Sequence, residues 1–336
     1  MSKSFDVAVI GASGTVGETI VQLLDERDFP IANLHVLAGN SSAGQSIIFR
    51  GKNLRVRELA GFDFAQVQLV FFAAGAAVTH EFALKAHAAG CSVIELSGVL
   101  PLDQAPRLVP EANAAMLSAL KPPFLLGSPA PVAVALGLVL APLKSHLSLQ
   151  KITLTAALAV SSRGREGIAE LARQTAELLN MRPLEPKVFD RQMAFNLLAQ
   201  VGELDASGHD ALERRIAQEL RQVLDMAELK VAVTCVQAPV FFGDSLSVSV
   251  QASAAVDIAQ IGQLLDKQPG VERVEEGDYP TVVGDAVGQD EVYVGRVRQG
   301  LDDSTELNLW IASDNVRKGS ALNAVQIGEL LIKHYL

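Results

Sequence analysis

Apolar positions along the first third of the chain come in short blocks separated by polar turns. Residues 6–10 (DVAVI) form a compact, mainly apolar run followed by glycine, which predicts a buried strand. The spacing of Val21, Leu23 and Leu24 behind it predicts a helix. The strand pattern returns at 34–38 (LHVLA), 68–72 (QLVFF) and 92–95 (SVIE), and 79–89 has helical spacing. Strand and helix therefore alternate, which predicts a doubly wound parallel sheet, with 107–109 and 124–126 completing it.

From about residue 128 the pattern changes. Long strand-like runs occupy 152–161 and 229–240, 245–252 alternates apolar and polar residues, and 307–312 is a further run. Helical spacing appears at 165–179, 210–224 and 257–265. Strands without regular helical crossovers predict a mixed or antiparallel sheet covered by helices on one face. A last helix over 321–335 is expected to return to the first domain. The predicted division is 1–127 with 318–336 for a dinucleotide-binding domain, and 128–317 for a substrate and dimerisation domain.

The turn after the first strand reads GASGTVG, with glycines at 11, 14 and 17. A tight glycine turn opening a helix aims backbone N–H groups and the positive helix end at an anion, commonly the pyrophosphate of a dinucleotide. Gly11, Ser13, Gly14, Thr15, Val16 and Gly17 are thus candidate cofactor-binding residues. An empty structural turn is the alternative. Past the second strand stand Asn40, Ser41 and Ser42, where an acid would take a ribose hydroxyl and an arginine a 2′-phosphate. Either NAD or NADP is compatible, and an NADP preference loses its usual anchor.

Composition sharpens this picture. A chain of 336 residues, 49% hydrophobic and 20% charged, supports two cores, and its positive mean hydropathy suggests apolar surface hidden in an oligomer. A net charge of −10 argues against nucleic acid or an anionic membrane as partner. The uncharged stretch 124–143 is long enough to suggest a membrane span, but Ser128, Pro129 and Pro131 interrupt it. A strand, a turn and a buried helix are expected there. Cys91 and Cys235, both in apolar runs, make no disulfide framework, and the N-terminus has no signal-peptide pattern; a reducing cytoplasm is expected. The histidines show no metal-ligand spacing, so no metal is expected.

Further motifs carry a resemblance. GASGTVG, VLAGNSSAG, LVPEAN, CVQAPVFFGDSLSVSV, VYVGRVRQG and LNLWIASDNVRKGSALNAVQ, in that order and over nearly the whole chain, are similar to the aspartate-semialdehyde dehydrogenase family, most of all its usg-type branch. The resemblance implies a Rossmann-like domain followed by a glyceraldehyde-3-phosphate-dehydrogenase-like α+β domain, in a homodimer or homotetramer. It also implies a reaction in which a cysteine thiolate takes an acyl group and NADPH reduces the thioester.

Position by position, this chain departs from that chemistry. The family's NPNCST matches SPAPVA, putting Pro131 at the nucleophile. Proline has no nucleophile and no N–H to offer an oxyanion, although it suits a first helical turn. RVPVxxGH matches QAPVFFGD, so the substrate arginine becomes Gln237 and the catalytic histidine becomes Asp244, a weak base at an ordinary carboxylate pKa. Leu158 stands where a glutamine contacts the acyl group, and Pro101 replaces a phosphate-binding arginine. In the substrate helix Leu212 takes an acid's place, while Arg215 keeps its charge. Ser161, Ser162 and Asn315 match positions near the nicotinamide, with turn and cap roles as the alternative. Ser128 is expected to cap the helix after Pro129.

Three readings follow. In the first, the chain is a dinucleotide-binding homologue without thioester chemistry, acting through binding or assembly, with a genuine family member as a candidate partner. Alternatively it is an oxidoreductase reducing an aldehyde or oxo group by direct hydride transfer, with Asp244, paired with Glu213, moving protons. In the third, the glycine loop is vestigial and only the oligomer surface matters.

Overall fold

The structure, a computed structural model, describes residues 4–336. These divide into two compact units, 4–130 with Ser320–Leu336, and Pro131–Gly319. The chain thus crosses from one unit to the other after Ala130 and after Gly319.

In the first unit, β1 (Phe5–Ile10) leads through the glycine turn into α1 (Thr15–Glu26), then β2 (Ile31–Ala38). A hairpin of β3 (Ser46–Phe49) and β4 (Lys52–Arg55) and the short β5 (Arg57–Glu58) follow. After these come β6 (Leu69–Phe72), α2 (Ala76–Ala88), β7 (Ser92–Glu95), the short α3 (Pro110–Asn113) and β8 (Leu125–Gly127). All six sheet strands are parallel, in the order β5-β2-β1-β6-β7-β8. The chain runs outward from β1 to β2 and β5, then crosses back to β6 on the other side. The glycine turn thus sits at the switch point where open α/β sheets bind ligands.

Alternation along β1 divides this unit's core. Val7 and Val9 pack with Ile20, Val21, Leu23 and Leu24 of α1, while Ala8 and Ile10 pack with Phe72 and with Ala83 and Ala86 of α2. The expected strand at 107–109 is one bridge, Arg107 to Gly127, because Pro110 opens α3 immediately after it.

The second unit begins with α4 (Pro131–Leu140), in which every residue after Pro131 is buried, as expected of the uncharged stretch. It continues through β9 (Leu149–Leu158), α5 (Gly164–Leu179), α6 (Ala211–Leu224), β10 (Lys230–Gln237), β11 (Asp244–Ala252) and α7 (Ile258–Asp266). Then come β12 (Val271–Arg273), β13 (Val292–Gln299) and β14 (Glu306–Ser313). The six strands form a mixed sheet in the order β10-β9-β11-β14-β13-β12, antiparallel at its centre and parallel at both edges. A π turn at Arg317–Leu322 precedes α8 (Asn323–His334), so the last helix begins two residues later than expected and belongs to the first unit.

Among the described residues no helix is long and apolar enough to cross a membrane. Helix α4 starts at Pro131, which puts the cap position on Ala130. Ser128 lies further out, its hydroxyl accepting from the Asn323 amide at 2.8 Å.

Candidate functional site

Two clusters carry the candidate residues, one in each unit. In the first, Gly11 adopts φ +78°, and a Cβ there would lie 2.5 Å from the Ala73 carbonyl oxygen. A Cβ on Gly17 would lie 2.1 Å from the Gly11 oxygen, so α1 approaches the turn this closely only with glycine at 17, as the turn approaches the end of β6 only with glycine at 11. Gly14 occupies the N-cap of α1 and brings no side chain to it. Just inside the helix the buried Thr15 hydroxyl has no hydrogen-bond partner. Uncapped first-turn N–H groups beside an orphaned hydroxyl are a donor set suited to a phosphate.

Beyond β2, Asn40, Ser41 and Ser42 form a short 3₁₀ turn; the side chain of Ser41 lies outside the described structure. Along the chain no arginine directly follows β2. The hairpin supplies one across space: an Arg55 guanidinium nitrogen lies 3.8 Å from where a Gly44 Cβ would be, just past that turn.

In the second unit the sheet gathers Leu158, Gln237 and Asp244 at one end. Gln237 is in register with Leu158, and Asp244 with Ser313, so Gln237, Leu158, Asp244 and Ser313 form a row across β10, β9, β11 and β14. All four are buried. Asp244 Oδ1 accepts from the Ala159 N–H at 3.0 Å. Burial pushes its carboxyl up to about 7; the Ala159 bond opposes that rise and the nearby Asp314 charge adds to it. The expectation of an ordinary, weakly basic carboxylate is thereby corrected: a fully desolvated acid titrates near neutrality.

Ser161 and Asn315 bond each other, hydroxyl to amide at 3.0–3.1 Å, and Asn315 Oδ1 also takes the Gly243 N–H at 2.9 Å. Ser162 is exposed beside Gln237. Pro131 reaches the same region through the 314–319 turn: a Cβ on Gly319, whose N–H bonds the Asp314 carbonyl, would lie 2.6 Å from that of Pro131.

Other candidates take structural roles. Glu213 does not pair with Asp244: one oxygen accepts from the Cys235 N–H at 2.9 Å, and the other from the Asp210 N–H and the His209 ring in the capping box of α6. Arg215 is held by Glu219 at 2.8 Å, and Pro101 is exposed. Cys91 is buried with its thiol pushed up to about 11, by burial first and then by the Asp63 charge. The buried Cys235 thiol is raised too, by burial and then by Asp210, Glu213 and Asp244. Neither is poised as a thiolate. Among the described residues no cluster of His, Cys, Asp and Glu could hold a metal ion.

A switch-point glycine turn followed by a mixed-sheet domain defines a two-domain, nicotinamide-dinucleotide type of architecture. Family models agree: residues 6–120 match the semialdehyde dehydrogenase NAD binding domain and 140–318 the semialdehyde dehydrogenase dimerisation domain. The chain belongs to the aspartate-semialdehyde dehydrogenase family. It is 60% identical to a USG-1 protein homolog of Azotobacter vinelandii over 99% of both chains. A solved structure of a probable aspartate-semialdehyde dehydrogenase from Pseudomonas aeruginosa superposes with TM-score 0.98 at 59% identity, over 99% of this chain and all of that one. Aspartate semialdehyde dehydrogenase II of Vibrio cholerae, solved with ASA, gives 0.95 at 37% identity over the whole of both chains.

Proposed function

We propose that this chain binds a nicotinamide dinucleotide through Gly11, Ser13, Gly14, Thr15, Val16 and Gly17, and lacks the thioester-forming reductase activity of its family. The observation that carries the reading is the start of α4: its first residue, Pro131, has neither thiol nor N–H, and both cysteines are buried with raised thiol pKa values. Losing a nucleophile alone can cost on the order of 10⁶ in kcat. The nicotinamide would supply hydride chemistry; this chain's part is to hold the phosphates at the α1 turn. Ser161, Ser162 and Asn315 remain candidates for contact near the nicotinamide, although the Ser161–Asn315 bond already gives two of them a structural role.

Binding or assembly is then the biological output, with a second copy of the chain as the first partner. Support comes from the dimerisation-domain match and from the other face of the second sheet. There Thr234, Thr155, Ser247 and Trp310 form a second row, in register across β10, β9, β11 and β14, with the first three exposed. A flat face of small hydroxyl side chains can pack on its own copy about a two-fold axis. A genuine family member could use the same face.

One observation favours the oxidoreductase reading. Asp244, titrating near 7, could exchange a proton at neutral pH during reduction of an oxo group. Thermal shift with NAD(H) and NADP(H), followed by turnover assays on aldehydes and acyl phosphates, separates the two. Saturating dinucleotide at a hundred times Kd adds about 2.7 kcal/mol of stability. Binding without turnover is the result we expect; turnover of an aldehyde that Asp244→Asn abolishes would favour the alternative. No stabilisation by either dinucleotide would overturn both.

A further inference from the structure

The buried row across the second sheet has unsatisfied hydrogen-bonding capacity of a particular kind. Gln237, only 1% exposed, donates its amide nitrogen to the Leu158 carbonyl at 2.8 Å and stands 3.4 Å from the Ser162 hydroxyl. Those contacts decide which way the amide points: turned over, it would set its oxygen against the Leu158 oxygen. Its Oε1 therefore faces away from β9, buried, with no donor. At the far end of the row the Ser313 hydroxyl, in a residue 3% exposed, is also without a partner. Between them Asp244 Oδ1 is engaged by Ala159.

Leaving such groups unpaired is costly, and a native fold that keeps them calls for a partner that supplies the missing hydrogen bonds. What completes this row must bring N–H or O–H donors. The row carries no cation, and a carboxylate, which only accepts, would be set against the Gln237 oxygen in a desolvated place. A primary carboxamide answers both demands: its NH₂ donates to Gln237, its hydrocarbon part lies over Leu158, and it brings no charge. Gln237 and Asp244 stand two strand spacings apart, about 10 Å between backbones, enough for a short chain with a polar group at each end. Exposed Ser162, against Gln237, and Phe241, 42% exposed, whose carbonyl holds the Ser161 N–H, mark the side of approach.

We propose that this row is a binding site for a small, uncharged, carboxamide-bearing molecule and discriminates against the corresponding carboxylate. The proposal goes beyond the dinucleotide-binding and assembly roles given above and does not depend on the dinucleotide turn.

The test is saturation-transfer NMR on the full-length protein with succinamide and succinate as probes. The unmutated protein should bind succinamide at least about tenfold more tightly than succinate, as sites built around a buried hydrogen bond reject analogues lacking it. Gln237→Leu should remove succinamide binding, and Gln237→Arg should reverse the order in favour of succinate. Equal binding of the two by the unmutated protein, a preference for succinate, or binding of neither overturns the proposal without recourse to a variant. Full succinamide binding by a folded Gln237→Leu protein does so too. Thermal shift with NADH and NADPH, run in parallel, reports on the dinucleotide reading separately, so either can fail alone.

Discussion

Asp244 shows how one side chain changes character with its surroundings. In water its carboxyl would be charged at neutral pH; between β9 and β14 burial holds it neutral up to about 7. Because its pKa is raised on folding, its contribution to stability is fully present below the ordinary value of 3.8 and is lost as pH rises through about 7. The loss amounts to roughly 4 kcal/mol at most. Asp244→Asn keeps an oxygen for the Ala159 N–H and carries no charge. Denaturation midpoints of the variant should therefore be level with the parent below about pH 4, draw ahead as pH rises, and be clearly higher at pH 8. A parent-like slope in the variant would place the titration on another group.

At the scale of elements, much was legible because period and chemistry agreed. The apolar run of β1, the glycine spacing and the helical stripe of α1 point to one strand-turn-helix unit, and Asp210 and Asp257 cap α6 and α7 at the ends of their patterns. What stayed hidden had mixed local signals. The β3–β4 hairpin turns at Arg50 and Gly51, both at positive φ, but an Arg-Gly pair lacks the usual Asn-Gly or Asp-Gly signature. Strand β13 is broken by a register shift between Gly295 and Arg298, which spoils its alternation. The candidate site positions could be named one by one, but not their row, because register between distant strands is absent from local pattern. Nor could the chain show that burial shifts Asp244 or that Gln237 Oε1 is orphaned.

Two predictions belong to these elements. Gly17→Ala forces a methyl group into the Gly11 carbonyl and should cost roughly 1–3 kcal/mol or more while abolishing dinucleotide binding by calorimetry. Unchanged binding would show that the turn holds no phosphate. Arg55, beside the turn after β2, should contribute to 2′-phosphate binding. Arg55→Ala is expected to weaken NADPH about tenfold and leave NADH unaffected, given the usual strength of charge-assisted bonds. Equal effects on both dinucleotides would refute that role.

For the whole molecule, the two proposed tasks fall on opposite faces of the second sheet. One face carries the buried row of Gln237, Leu158, Asp244 and Ser313; the other carries Thr234, Thr155 and Ser247 exposed beside Trp310. A charge at the centre of the open face should oppose self-association without touching the buried row. Thr155→Arg is expected to lower the mass found by light scattering to that of one chain, 35.7 kDa, while leaving dinucleotide binding in place. An unchanged mass in an associating protein would move the interface elsewhere.

The most direct test of the central claim is the mass of the intact protein after exposure to an acyl phosphate, since thioester chemistry must leave an acyl group on the chain before any hydride moves. With Pro131 opening α4 and both thiols buried, the account predicts an unmodified mass, with or without reduced dinucleotide. Stoichiometric acylation, released when NADPH is added, would contradict it.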